Sequence, residues 1–242
     1  MAQAVEIVAT GKEFKELNAE IRAALKTADE VVLKGVLAQR YIGCAIPAGK
    51  TIRIEGVPGN DMACYMDGAY VDVCGNAQDQ VGNTMNDGTI VIHGRCGDAA
   101  GYAMRGGKIF VREDVGWRVG IIMKEYQDRV PAIIIGGNAG GFLGEYMAGG
   151  VMVLMGHPGD YLATGMCGGV IYLRHKIESE HIMDGLVLEP VDAQDLETLN
   201  PLIAQFREHF DGELPADSPE SGEGFWKLRP ANSRPYASMY AH

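Results

Sequence analysis

The stretch TIVIHGRCGDAAGYAMRGGKIFVRE, residues 89–113, holds two short β-type runs separated by a glycine-rich return. The runs TIVIHG and KIFVRE align residue for residue at a separation of 19. Outward from them the same unit recurs as TIRIEG ending at Gly56, AYVDVCG at Gly75, AIIIGG at Gly137, VMVLMG at Gly156 and VIYLRH at His175. The seven end positions are separated by 19, 19, 19, 24, 19 and 19 residues. Met66, Met85, Met104, Met123, Met147 and Met166 form a second ladder with the same single jump of 24. Asp-Gly or Gly-Gly closes most turns, as at Asp87-Gly88 and Gly106-Gly107. A fixed period of this length marks a repeat architecture and overrides element-by-element reading.

Side chains alternate across a strand, so each run can be sorted by face. One column reads Ile52, Val71, Ile90, Ile109, Ile133, Met152, Ile171, and two residues on the next reads Ile54, Val73, Ile92, Val111, Ile135, Leu154, Leu173. Both are wholly apolar and predict a continuous interior. Between them lies an outward column, Arg53, Asp72, Val91, Phe110, Ile134, Val153, Tyr172, polar at its start and apolar from Val91 onward. An apolar stripe of this kind needs a cover. Val91, Phe110, Ile134, Val153 and Tyr172 are therefore read as a docking stripe, for a segment of the same chain or for a partner.

A unit of 19 residues with one strong strand cannot bury its own apolar side, whereas stacked copies can, each strand pairing with its equivalent about 4.8 Å away. The fold class is mainly β, a single-stranded parallel β-solenoid with helical caps. VVLKG, residues 31–35, reads as an imperfect first coil, so eight strands give a solenoid about 34 Å long. Three regions follow: a helical cap over 1–30, the solenoid over 31–175 and an acidic region over 176–242. Phe14, Leu17, Ile21 and Leu25 share one helical face in the first. Leu199, Leu202, Ile203, Phe206 and Phe210 share one in the third, where Pro201 starts the helix near Asn200 or kinks it. Residues 211–224 carry five acids and no base and read as a solvated loop, after which FWKLRP, 225–230, returns an apolar pair.

Composition narrows function. Glycine is 33 of 242 residues, roughly twice the usual share, without a collagen triplet. The net charge of −11 lacks any basic stripe, which argues against nucleic acid. The acidity is concentrated, with five basic and 13 acidic side chains in 176–242. No apolar run is long enough to span a membrane, and MAQAVEIVATGKEF is not a secretory leader. Five cysteines without a CxxC pair fit a cytoplasmic chain with reduced thiols.

Chemistry is sought and not found. GNAGGFLG, residues 137–144, places glycines near a dinucleotide fingerprint, but the same glycines recur in every coil and another strand follows, so they read as turn glycines. The histidines show no metal spacing, and His93 falls in one surface column with Cys74 and Arg112. The Met ladder reads as core filling. No catalytic, cofactor-binding or metal residue is assigned to this chain.

The pattern Gly-x-x-Met-x-Gly-Gly-x-Ile/Val-x-Val, in GYAMRGGKIFV (101–111) and GEYMAGGVMVLMG (144–156), together with MKEYQDRVP and PAIIIGGNAGG, resembles the GXGXG domain. That domain is the C-terminal β-helix of the glutamate synthase large subunit, and it recurs as a separate subunit of formylmethanofuran dehydrogenase and of the formyltransferase/hydrolase complex. The resemblance covers about residues 31–175. It implies a right-handed parallel β-helix without catalytic residues and a non-catalytic subunit of a glutamate synthase-like, N-methylglutamate synthase-type complex. It also implies a class-II amidotransferase-like partner and an FMN-binding partner, with FMN and the iron–sulfur cluster on those chains. The formylmethanofuran or formyltransferase type is the alternative. A stand-alone acyltransferase-like β-helix is disfavoured, because such enzymes repeat every six residues, 18 to a coil.

Overall fold

The computed structural model describes residues 4–232 apart from 211, 213 and 216. Parts of the acidic loop and the end of the 176–242 region therefore lie outside the described residues. The elements are β1 (Ala4–Val8), α1 (Phe14–Ala24), β2 (Glu30–Leu37), β3 (Thr51–Val57), β4 (Asp67–Val73), β5 (Asp87–Ile92), β6 (Lys108–Val111) and β7 (Ala132–Ile135). Then come β8 (Ala148–Leu154), β9 (Gly168–Leu173), β10 (Leu186–Pro190), α2 (Ala193–Phe210) and β11 (Trp226–Pro230). All the described strands form one sheet in the order β1 to β9, then β11, then β10. Neighbours from β1 through β9 pair in parallel, and β11 and β10 add antiparallel strands. This is a parallel β-solenoid.

The register matches the repeat: Ile90 pairs with Ile109, Ile109 with Ile133, and Ile133 with Met152. Every residue of the two inward columns is buried, Ile133 and Ile135 completely. A second short ladder, Ala77–Cys96–Val115–Ala139, closes the coil on another side. The Met column and a column running through Val81, Ala100, Val119 and Leu143 fill the remaining interior.

Between those columns the chain adopts a left-handed conformation at every second residue, as at Ala99, Gly101 and Ala103. The middle position must be glycine in most coils. A Cβ on Gly101 would lie 2.4 Å from the Ile133 Cδ1 that packs onto its backbone. A second constraint explains the Gly-x-x-Gly spacing. Asp79 Oδ1 accepts the Asp98 N–H at 2.9 Å, one coil on, and a Cβ on Gly97 would sit 2.1 Å from that oxygen. Asp98 repeats the bond to Trp117, Asp114 to Asn138 and Asn138 to His157. Side-chain oxygens thus satisfy amides at corners where no strand ladder can.

Two features differ from the sequence reading. Residues 1–30 hold a strand as well as a helix: β1 pairs with β2, giving nine parallel strands rather than eight. Its offset from β2 is 26 residues, because α1 is inserted into that coil, so the period of 19 does not reach it. Helix α2 starts at Ala193, not near Asn200, and runs through Pro201. Asp192 Oδ1 caps the Gln194 and Asp195 amides while Asp195 Oδ2 takes the Asp192 N–H, a reciprocal capping arrangement. Proline inside a helix costs about 3 kcal/mol. Burying Leu199, Ile203, Phe206 and Phe210, at about 1.5–3 kcal/mol each, exceeds that. FWKLRP, which the sequence leaves free to dock on a partner or on the solenoid, docks on the solenoid as β11 and covers the edge of the last coil.

Candidate functional site

The sequence-predicted stripe is a closed face. Val91, Phe110, Ile134, Val153 and Tyr172 form one buried cluster with Leu199, Leu202, Ile203, Phe206 and Phe210 of α2 and with Phe225. Of the two covers the sequence leaves open, a segment of the same chain or a partner, the structure shows the first: the stripe is covered by this chain's own helix. Polar contacts seal the rim. Lys108 Nζ donates to Gln205 Oε1 at 2.7 Å, and Tyr172 OH donates to Asp195 Oδ1 at 3.0 Å. Lys227 Nζ lies 2.7 Å from Asp195 Oδ2, tying β11 into the same network. Burial drives the Asp195 carboxyl upward, but Lys227, the Asp192 amide and the Tyr172 hydroxyl outweigh it and hold the group below its ordinary value. Burial, reinforced by Asp195, raises the Tyr172 hydroxyl. The His209 ring lies 4.7 Å from the Phe110 ring, and burial lowers its pKa.

The polar start of the outward column is also satisfied. Asp72 takes Arg53 at 2.7 Å and His93 Nε2 at 2.9 Å, so His93 is a packed surface histidine that also meets Phe210 edge-on. His157 and His175 stack at 4.4 Å on adjacent coils. Among the described residues, no group of three His, Cys, Asp or Glu side chains could hold a metal ion. Nor is any helix among them long and apolar enough to cross a membrane. The insertion at 124–131 forms a tight turn bridged between Tyr126 and Arg129, and Arg129 reaches back to Asp67 Oδ1 at 3.0 Å and the Asn86 carbonyl at 3.1 Å.

The left-handed corner is the opposite case, an aromatic surface that no described residue covers. Trp117, Phe142 and Tyr161 stand on successive coils, with ring centroids 6.1 Å and 4.8 Å apart, the latter pair stacked. The Arg118 guanidinium lies 4.5 Å from the Phe142 centroid and pairs with Glu145. Trp117 lies against Gly140 and Gly141, where a Cβ would come within 2.9 Å of the indole. The glycines of GNAGG thus seat a tryptophan. Trp117 is 51% exposed and Tyr161 58%; Tyr65, Tyr102, Ile122 and Tyr146 extend the surface along the same corner. Large rings so exposed are the residue types that anchor protein interfaces. The sequence reading missed this surface because it followed strand columns alone. Its signal is the register of Phe142 and Tyr161, one coil apart.

Fold and corner together define a parallel β-solenoid with one face closed by its own helix and one aromatic corner open. The chain belongs to the GXGXG motif family, whose family model matches residues 1–230. It is 39% identical to an uncharacterized protein of Methanocaldococcus jannaschii, over 97% of this chain and 96% of that one. It is 29% identical, over 137 residues, to ferredoxin-dependent glutamate synthase 2 of Synechocystis, spanning 51% of this chain but only 8% of that protein. Among solved structures, a chain of the formyltransferase/hydrolase complex of Methylorubrum extorquens, crystallised with methylofuran, superposes with a TM-score of 0.65 at 22% identity. That match covers 86% of this chain and 88% of the other, and it is a likeness of fold.

Proposed function

We propose that this chain is a non-catalytic structural subunit of a glutamate synthase-type enzyme, coupling an amidotransferase-like chain to an FMN- and iron–sulfur-bearing synthase chain. The sequence likeness to a segment of a glutamate synthase carries the reading. The matched segment is a small part of that enzyme, and on this reading the chemistry belongs to other chains. A relative of nearly the same length supports a separate subunit. The exposed aromatic corner supplies a surface on which partners can dock without disturbing the closed face. On this reading the chain binds neither flavin nor iron itself.

The whole-chain fold likeness favours a second reading, a structural subunit of a formyltransferase/hydrolase-type complex. Affinity purification of the tagged chain from its own cells separates the two. Co-purifying amidotransferase and FMN-binding chains, with glutamine-dependent glutamate formation that requires this subunit, are expected. Formyltransferase chains would select the second reading. Stoichiometric flavin or iron on the isolated chain would overturn both.

A further inference from the structure

Cys44 and Cys64 occupy equivalent positions of two successive coils. Tyr41, Gly43 and Ala45 in one, and Asp61, Ala63 and Tyr65 in the next, are the left-handed residues that set this register. Two inter-coil hydrogen bonds bracket the pair: the Ala63 N–H donates to the Ile42 carbonyl at 2.7 Å, and the Ala45 N–H to the Cys64 carbonyl at 2.8 Å. Stacked equivalents lie about 4.8 Å apart with side chains running the same way. A disulfide needs Cα atoms roughly 4.4–6.8 Å apart. Burial, with the neighbouring Cys44 thiol adding to it, pushes Cys64 up to about 12. Cys64 is buried, whereas Cys44 is half-buried and lines a surface cavity of about 290 Å³ with Arg22, Lys26 and Lys50.

We propose that Cys44 and Cys64 form a reversible redox site, converted to an inter-coil disulfide by a small hydroperoxide and restored by a dithiol reductant. Cys44 is the reachable thiol, so its sulfur attacks the peroxide. An S–O bond forms and the O–O bond breaks, leaving a sulfenic acid, and the departing oxygen carries away the Cys44 proton as water or an alcohol. The Cys64 sulfur then displaces the hydroxyl: the S–S bond forms, the S–O bond breaks, and the Cys64 proton leaves in a water molecule. Two thiols are oxidised by two electrons and one peroxide is reduced by two. The cationic side chains around the cavity oppose the negative charge that develops on the departing oxygen. Lys50 is fixed there by Asp29 at 2.9 Å and the Ala28 carbonyl at 3.1 Å. Cys96 has no such partner in its column, which holds Ala77 and Val115 on either side.

The test uses the full chain, reduced, treated with hydrogen peroxide, quenched, denatured and mapped by alkylation and peptide mass. The thiol count is expected to fall by two from five, with Cys44 and Cys64 joined within one chain, and dithiothreitol is expected to restore it. Cys64→Ser should leave Cys44 trapped as a dimedone adduct, and Cys44→Ser should leave Cys64 reduced. Because a variant could fail to fold, the wild-type map decides alone. Cys44 and Cys64 both alkylated after peroxide treatment, or bridged to other cysteines or to a second chain, overturn the proposal.

Discussion

Two faces of one solenoid carry large apolar side chains on successive coils, and they meet opposite fates. The Val91–Tyr172 stripe lies on the outer face of the sheet, where a helix can lie across the strands. Helix α2 does so and takes Phe110 and Tyr172 out of water. The Trp117–Tyr161 corner sits where the backbone alternates into the left-handed region, and its rings stand half exposed. Local geometry explains part of the contrast. Sheet side chains at one spacing offer grooves to a helix, whereas the corner rings stack on one another and on glycines. An apolar column therefore predicts that something covers it, and the cover's source depends on what else the chain can supply.

The largest expected effect breaks the closed face. Phe110→Glu places an unpaired carboxylate at a fully buried position, a defect of about 3–5 kcal/mol. Urea denaturation should show that loss, or the chain should become insoluble. A loss below about 1 kcal/mol would mean that α2 lifts off readily and that the two faces differ little. Ile133→Ala, in the interior beneath both faces, should cost about 2–5 kcal/mol by the same assay. A neutral result there would contradict a tightly packed solenoid interior.

Acid should loosen the closed face before it affects the corner. Burial holds the His209 pKa below its ordinary 6.5, with Glu208, Asp72, His93 and Lys108 as its charged or titratable neighbours. The unfolded chain therefore takes up this proton more readily, so the neutral ring's contribution is complete above pH 6.5 and is lost as pH falls below it. Asp195, also depressed, adds a second loss at lower pH, beginning near its ordinary 3.8. Melting temperatures at about pH 7 and about pH 5.5 should differ less in His209→Gln than in the wild type. An unchanged difference would remove His209 from the pH response.

The inward columns were legible because period and alternation coincide: Ile90, Ile109 and Ile133 need only be counted. The stripe was legible as a need for cover, and Phe206 and Phe210 were visible as helix-face residues. The start of α2 was not, because Pro201 outweighed the Asp192–Asp195 cap, whose value depends on a reciprocal bond. Strand β1 was hidden by the helix inserted into its coil. The corner was hidden because left-handed backbone at residues such as Arg118 and Phe142 has no composition signal. Glycine marks the middle position of most triplets, and Ala63 and Ala163 take it in two others. The cysteine pair was countable but not placeable until the coils were in register.

The smallest expected effect on stability is the most informative about function. Trp117→Ala and Tyr161→Ala remove rings that are half in water, so each should change unfolding free energy by only about 0.5 kcal/mol or less. The ring contacts to Phe142, tilted for Trp117 and stacked for Tyr161, would raise that figure, since an aromatic pair is worth about 0.5–1.5 kcal/mol beyond area. Measuring both variants and the double mutant separates the terms: if stacking through Phe142 couples them, the double mutant departs from additivity. Binding should respond quite differently. An anchor ring buried at an interface typically costs about 2 kcal/mol or more when truncated, about a thirtyfold loss of affinity. A corner that docks a partner therefore predicts Trp117→Ala folded and soluble but depleted of co-purifying chains, with Ile133→Ala losing them only in proportion to unfolding. Equal co-purification of Trp117→Ala, Tyr161→Ala and the wild type would show that these rings tolerate exposure without serving assembly, and the contrast between the faces would reduce to packing geometry.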